Sequence, residues 1–198
     1  MVEEQVLVER VQNGETVAFR ELVELHKRNV YYLALDLTGN HHDAEDLSQE
    51  VFIKAYRHIK DFRSDGKLSS WLYRIAVNTN INQYRKKSTQ ARKLQASYDE
   101  LNPFQERFSG VNDARNPEEC AEAGLMQSHV EQALGRLTPK ERSIFVLRHY
   151  NDLPLKEIAE IHQVKVGTIK SMLFRTIKKL QKELSFYRED FGLEKGHA

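Results

Sequence analysis

The chain is short of several things, and each shortage excludes something. Cys120 is the single cysteine in 198 residues. It can form neither an internal disulfide nor a cysteine-based metal cage, which points to a reducing compartment. Nine glycines and four prolines are too few for a turn-rich all-β chain or a low-complexity linker protein. No apolar run approaches the ~18–20 residues that a membrane span takes. The opening Met1-Val2-Glu3-Glu4-Gln5 has neither the basic region nor the apolar core of a secretory signal. No membrane insertion and a cytoplasmic location are therefore expected.

Net charge is scarce too, at +1, although 30% of the residues are charged. The two signs are segregated along the chain. Asp36 to Phe52 holds five acids and no lysine or arginine, and Lys60 to Lys93 holds nine bases against two acids. Leu94 to Glu122 turns acidic again, seven against two, and Val166 to Lys182 has five bases and no acid. Two separated basic blocks suit two contacts with a polyanion, and an acidic block suits a basic partner surface. Any one block alone is also explained as a solvated helix face.

What is present is helical periodicity. After the turn signal Asn13-Gly14, the residues Phe19, Leu22, Val23, His26, Val30, Leu33 and Leu37 recur at steps that place them on one helix face, ended by Gly39-Asn40. Ala44, Leu47, Val51, Ala55 and Ile59 give a second helix, with acids in its first turns where the helix dipole favours them. A third helix is expected from about Ser70 to Lys87, with Leu72, Ile75, Ala76 and Thr79 inside. Three such helices can close one small bundle.

From Arg92 to Asn116 the periodicity fails, and a structureless stretch of that length marks a domain boundary. Asn116-Pro117-Glu118-Glu119 and Thr138-Pro139-Lys140-Glu141 each offer a cap, a proline at the first helical position and a carboxylate three residues after the cap. Leu155 to His162 reads as a short amphipathic helix. The connection Gln163-Val164-Lys165 then leads into a helix from Val166 to about Leu184, which is helix-turn-helix spacing. With Val164, Ile169, Leu173 and Leu180 inward, Thr168, Lys170, Ser171, Phe174, Arg175 and Lys178 fall outward. Hydroxyls, cations and one aromatic suit phosphate anchoring and base-edge contact in a major groove. Lys165 stands where an N-cap is wanted and cannot accept the free N–H groups.

Four motifs then carry a resemblance. Asp43-Ala44-Glu45-Asp46-Leu47-Ser48-Gln49-Glu50-Val51-Phe52 resembles the region 2 helix by which bacterial sigma factors grip core RNA polymerase. Ser70-Trp71-Leu72-Tyr73-Arg74-Ile75-Ala76-Val77-Asn78 resembles the region 2 helix that opens the −10 element. Leu137-Thr138-Pro139-Lys140-Glu141-Arg142 resembles the start of region 4, and Val166 to Arg175 resembles its promoter-reading helix. The order is the family's, and the two-domain layout is similar to the extracytoplasmic-function (ECF) group.

The resemblance implies an all-α chain of two small helical domains: region 2 over 1–91, an irregular linker over 92–116, region 4 over 117–187, and a tail over 188–198. It implies a non-catalytic subunit that takes core RNA polymerase, through its β′ and β subunits, to promoter DNA, with an anti-sigma factor as a further partner and no cofactor or metal. By the same resemblance Asp46, Gln49 and Glu50 meet a basic helical surface of β′, with Phe52 or a neighbour burying apolar area. Arg63, Ser64 and Lys67 lie in the loop expected to take a flipped −10 base. Trp71, Arg74, Asn78, Asn82 and Arg85 follow on the strand-holding helix. Thr168, Lys170, Ser171, Phe174, Arg175 and Lys178 are assigned to −35 duplex DNA.

Two other readings compete. His41-His42-Asp43 with Glu45 and Asp46 is a conceivable metal cluster, but no second ligand group of convincing spacing follows it. A stand-alone helix-turn-helix regulator would bind operator DNA by itself; it leaves the amino-terminal motifs unexplained.

Overall fold

The computed structural model describes residues 2–63, 66–95 and 117–185, with side chains described for 4–63, 66–90 and 126–185. These residues form helices and connections, with no strand among them. In chain order the helices are α1 (Val2–Gln12), α2 (Thr16–Thr38), α3 (His41–His58), a 3₁₀ turn (Ile59–Asp61), α4 (Leu68–Gln95), α5 (Pro117–Gly135), α6 (Pro139–His149), α7 (Leu155–His162) and α8 (Val166–Glu183).

Helix α1 carries no periodic signal in the sequence. Its apolar residues Leu7, Val8 and Val11 span only about one turn, too little to register as a period, yet all three are buried against the bundle. Its last residue ties down the turn that follows α3: the Gln12 amide donates to the carbonyls of Ile59 (2.8 Å) and Phe62 (2.9 Å). Helix α4 starts two residues before the expected Ser70 and continues to Gln95, four residues into the segment read as linker. Arg92, Lys93, Leu94 and Gln95 are good helix formers with no glycine or proline to stop them. The rest of that segment, Ser64 and the tail lie outside the described residues, as does the Cys120 side chain.

Helices α1 to α4 form one unit around Leu22, Val30, Leu33, Leu47, Val51, Leu72 and Val77, all buried. Each such side chain withdrawn from water contributes ~1.5–3 kcal/mol before the entropy of ordering it is counted. The seam between α3 and α4 is also stitched by polar groups running antiparallel. Lys87 Nζ lies 3.1 Å from Asp43, Gln83 Nε2 lies 2.5 Å from Glu50, and Lys54 Nζ lies 3.0 Å from Thr79.

Helices α5 to α8 form the second unit. Both halves of the capping box at α6 are present: the Thr138 hydroxyl accepts from the Glu141 N–H, and Glu141 accepts from the Thr138 N–H at 3.0 Å. Ile144, Leu147, Ile158, Ile161 and Ile169 pack between α6, α7 and α8. Ser143 Oγ donates to the Lys140 carbonyl, which leaves it an acceptor for the His162 ring 3.3 Å away. Burial there, with the Lys140 charge nearby, lowers the His162 pKa to about 4.

The two units touch. Helices α6 and α7 pack on α2 and α4, and buried residues of both units belong to one continuous apolar cluster.

Candidate core-polymerase and promoter-binding surfaces

On α3 the expected contact residues divide. Asp46 and Gln49 are exposed, and Ile53 and Tyr56 continue the same stripe with 51% and 47% of their surface in solvent. Glu50, with 40% of its side chain exposed, has its carboxylate held by Lys54 (2.7 Å) and Gln83 (2.5 Å). The hydrogen bond from Lys54, with that from Gln83, holds its pKa below the ordinary carboxylate range against the opposing effect of burial. Phe52 is half-buried against the core. The exposed apolar residue of this face is Ile53, and its signal was available: 46, 49, 53 and 56 are one stripe at helical spacing.

On α4 the cations and amides lie outward. Asn78, Asn82 and Arg85 are exposed and Arg74 is half-buried. Trp71 is half-buried too, packed on the core with its ring centroid 5.2 Å from that of Phe62. Arg63 and Lys67 are exposed at either end of the loop before α4. Lys67 has an unforeseen neighbour: Nζ lies 3.9 Å from Glu157 of α7, and the Ser70 hydroxyl donates to the same carboxylate.

Helix α8 follows a three-residue turn in which Gln163 has a left-handed backbone (φ 54°), and the Val164 N–H closes on the Ala159 carbonyl at 3.0 Å. No side chain caps α8 and its first turn has no acid, as the lysine at 165 implies. Ile169, Thr176 and Leu180 are buried, which rotates Thr168, Lys170, Ser171, Phe174, Arg175 and Lys178 into solvent together. Lys178 Nζ lies over the Phe174 ring, 4.6 Å from its centroid. Arg175 Nε donates to the Ser171 carbonyl at 3.3 Å. Lys179 is committed elsewhere, 2.5 Å from Glu141.

Comparison with known proteins fits both units. Residues 22–90 match the family model for Sigma-70 region 2, and residues 129–180 match that for Sigma-70, region 4. The ECF RNA polymerase sigma factor SigW of Bacillus subtilis is 34% identical over 177 residues, 89% of this chain and 94% of that protein. The ECF RNA polymerase sigma-E factor of Escherichia coli K12 is 35% identical over 172 residues, 87% of this chain and 89% of that protein. The chain belongs to the ECF sigma factors.

Among solved structures, the sigma factor RpoE of Bartonella quintana, in complex with the anti-sigma factor NepR, aligns with a TM-score of 0.63 at 24% identity. The alignment covers 84% of this chain and 96% of that one, and carries the fold. As a sigma factor the protein is a transcription initiation factor and not an enzyme. It binds core RNA polymerase and directs promoter-specific initiation. The stand-alone regulator is thereby set aside, because the region 2 match accounts for the amino-terminal unit that such a regulator leaves unexplained. The region 2 match covers most of α2, all of α3 and α4 up to residue 90, while α1 lies outside both matches. No helix among the described residues is long and apolar enough to cross a membrane.

Proposed function

We propose that this sigma factor divides its work among three faces. Asp46, Gln49, Ile53 and Tyr56 of α3 dock on a basic helical surface of core polymerase, with Ile53 as the apolar anchor. The loop from Arg63 to Ser70 and the outward face of α4, with Arg74, Asn78, Asn82 and Arg85, hold the −10 strand once it is unstacked. Trp71 supports this face from the core edge. Opening needs no hydrolysis: a surface that binds the unstacked strand better than the duplex shifts the equilibrium, and stacking or its replacement is worth ~1–3 kcal/mol per base. Helix α8 reads the −35 element as duplex, with Thr168 and Ser171 for phosphate or adaptable base contacts, Lys170 and Arg175 for guanine edges, and Phe174 and Lys178 alongside. The uncapped start of α8 leaves N–H groups for a phosphate. The protein works in the cytoplasm, and an anti-sigma factor is its expected regulator, as NepR partners the Bartonella protein.

The observation that carries this reading is the common exposure of those six residues on one face of the helix after the three-residue turn. The test is charge reversal, Lys170→Glu with Arg175→Glu, in run-off transcription with purified core. Promoter-specific initiation should vanish while core binding persists. Lost core binding would show that α8 has been given the wrong task.

A further inference from the structure

Helix α1 lies outside both family matches, yet its last residue reaches the face that the preceding reading gives to the −10 strand. The Gln12 amide nitrogen lies 2.8 Å from the Ile59 carbonyl and 2.9 Å from the Phe62 carbonyl, residues 47 and 50 positions away in the chain. Both partners are main-chain oxygens that only accept, so the nitrogen of the amide faces them and spends both its hydrogens there. Of the neutral side chains, glutamine alone offers two such donors at that length.

A carbonyl left over at a helix end needs a donor, and that need accounts for the bond to Ile59, where α3 gives way to the 3₁₀ turn. The second bond falls beyond the turn, on extended backbone (φ −73°, ψ 124°). It fixes the planar peptide that carries the chain from Phe62 into Arg63.

The −10 face is built from that peptide. Phe62 is 9% exposed, and its ring centroid lies 5.2 Å from that of Trp71, with 53° between the planes. The Trp71 N–H donates to the Lys67 carbonyl at 3.2 Å. Arg63, on the other side of the fixed peptide, is exposed, and the Gly66 N–H returns to its carbonyl at 3.3 Å. One amide on α1 thus holds the residue from which the Trp71 ring takes its seat and Arg63 its direction. The support is itself firm. Leu7, Val8 and Val11 are buried, Glu4 Oε1 lies 2.6 Å from His26 Nε2 of α2, and Gly14 (φ 97°) turns the chain just after Gln12. Groups that recognise a ligand must be held within about 0.5 Å of their productive positions.

We propose that Gln12 is a positioning residue for −10 capture: by holding the Phe62 carbonyl it sets the seat of Trp71 and the exit of Arg63, and so brings α1 into the promoter-reading machinery. This role rests on the reading of the face around Arg63, Lys67 and Trp71 as the −10 surface.

The test uses holoenzyme, the full chain with core polymerase, and a fluorescent single strand carrying the −10 element of a promoter that it opens. Each base of the element is removed in turn to leave an abasic sugar, and the ratio of intact to abasic affinity is measured at fixed salt. The parent should prefer the intact strand by at least about fivefold at the captured position. Gln12→Leu, which fills the space but donates nothing, should cut that ratio at least about threefold while abasic-strand affinity stays within about twofold. Gln12→Asn, a milder change whose shorter amide cannot reach both carbonyls, should move the ratio in the same direction. Val8→Ala, a cavity in the same helix, should lower the melting temperature and keep the parent ratio. Parent-like ratios in both Gln12 variants overturn the role of the amide, and so does a Val8→Ala ratio reduced as far as that of Gln12→Leu. A parent without base preference at any position overturns the −10 reading of this face, and the role of Gln12 with it.

Discussion

Glu50 shows how a charge that matches a motif can be spent inside the molecule. Its carboxylate bridges Lys54 on its own helix and Gln83 on α4, so it fastens α3 to α4. Asp46 and Gln49 lie on the exposed stripe with Ile53. Truncations should therefore separate. Exposed polar contacts are worth ~0.2–1 kcal/mol each, so Asp46→Ala with Gln49→Ala should weaken core binding by roughly fivefold. Ile53→Ala, removing a buried interfacial side chain, should cost roughly tenfold. Glu50→Gln should leave affinity within about twofold and instead lower the melting temperature. Anisotropy of labelled protein against core polymerase measures all three. A Glu50→Gln loss as large as that of Ile53→Ala would return Glu50 to the interface.

At the scale of elements, the helix starts with local chemistry were legible in advance and those without it were not. Thr138-Pro139-Lys140-Glu141 specifies its own capping box within four residues, and α7 begins and ends where its periodicity says. The exposed face of α8 was equally readable, because Ile169, Leu173 and Leu180 recur at helical spacing on the opposite side, where Ile169 and Leu180 are buried and Leu173 half-buried. Helix α1 and the extension of α4 carry no such signal: one is too short for a period, and the other continues only because nothing stops it. The helix-turn-helix connection itself is poorly optimised. Gln163 is held in a left-handed conformation that costs a residue with a side chain ~1–2 kcal/mol, and α8 starts on a lysine that cannot cap it. Gln163→Gly should thus stabilise the protein by up to ~1 kcal/mol, raising the melting temperature by ~2–4 °C without altering the outward side chains of α8. A lowered melting temperature in differential scanning calorimetry would mean that the Gln163 side chain makes a contribution larger than the strain it carries.

At the scale of the whole molecule, the sequence carries the pattern of most of the helices but no sign that the two units meet. The residues that join them, Arg142 with the Asp36 carbonyl and Glu157 with Lys67, look like ordinary surface residues until they meet across units. Their meeting makes the contact between the two units depend on pH. Burial raises the Asp36 carboxyl from 3.8 to about 6, against the opposing pull of Arg142. The groups around it are Arg142 of α6 and Tyr150 just after that helix, and Glu131 of α5 in turn faces Arg142. Separation of the units returns Asp36 to water and to its ordinary range. The form with the units in contact thus binds the extra proton between about 4 and about 6, so contact is favoured at the acid end and loses that advantage as pH rises through 6. His162 has the opposite sign and acts on folding of its own unit. Its pKa falls from 6.5 to about 4, so stability present above 6.5 drains away as pH drops toward 4, on the order of 3 kcal/mol in all. The two effects are separable by readout. Energy transfer between α3 and α8 should rise as pH is lowered from 7.5 to 5.5, and Asp36→Asn should flatten that response, whereas the melting temperature should fall over the same range and become less pH-dependent in His162→Gln. A transfer signal indifferent to pH in the parent chain would place the Asp36 carboxyl in water with the units apart, and the charge of Arg142 with it.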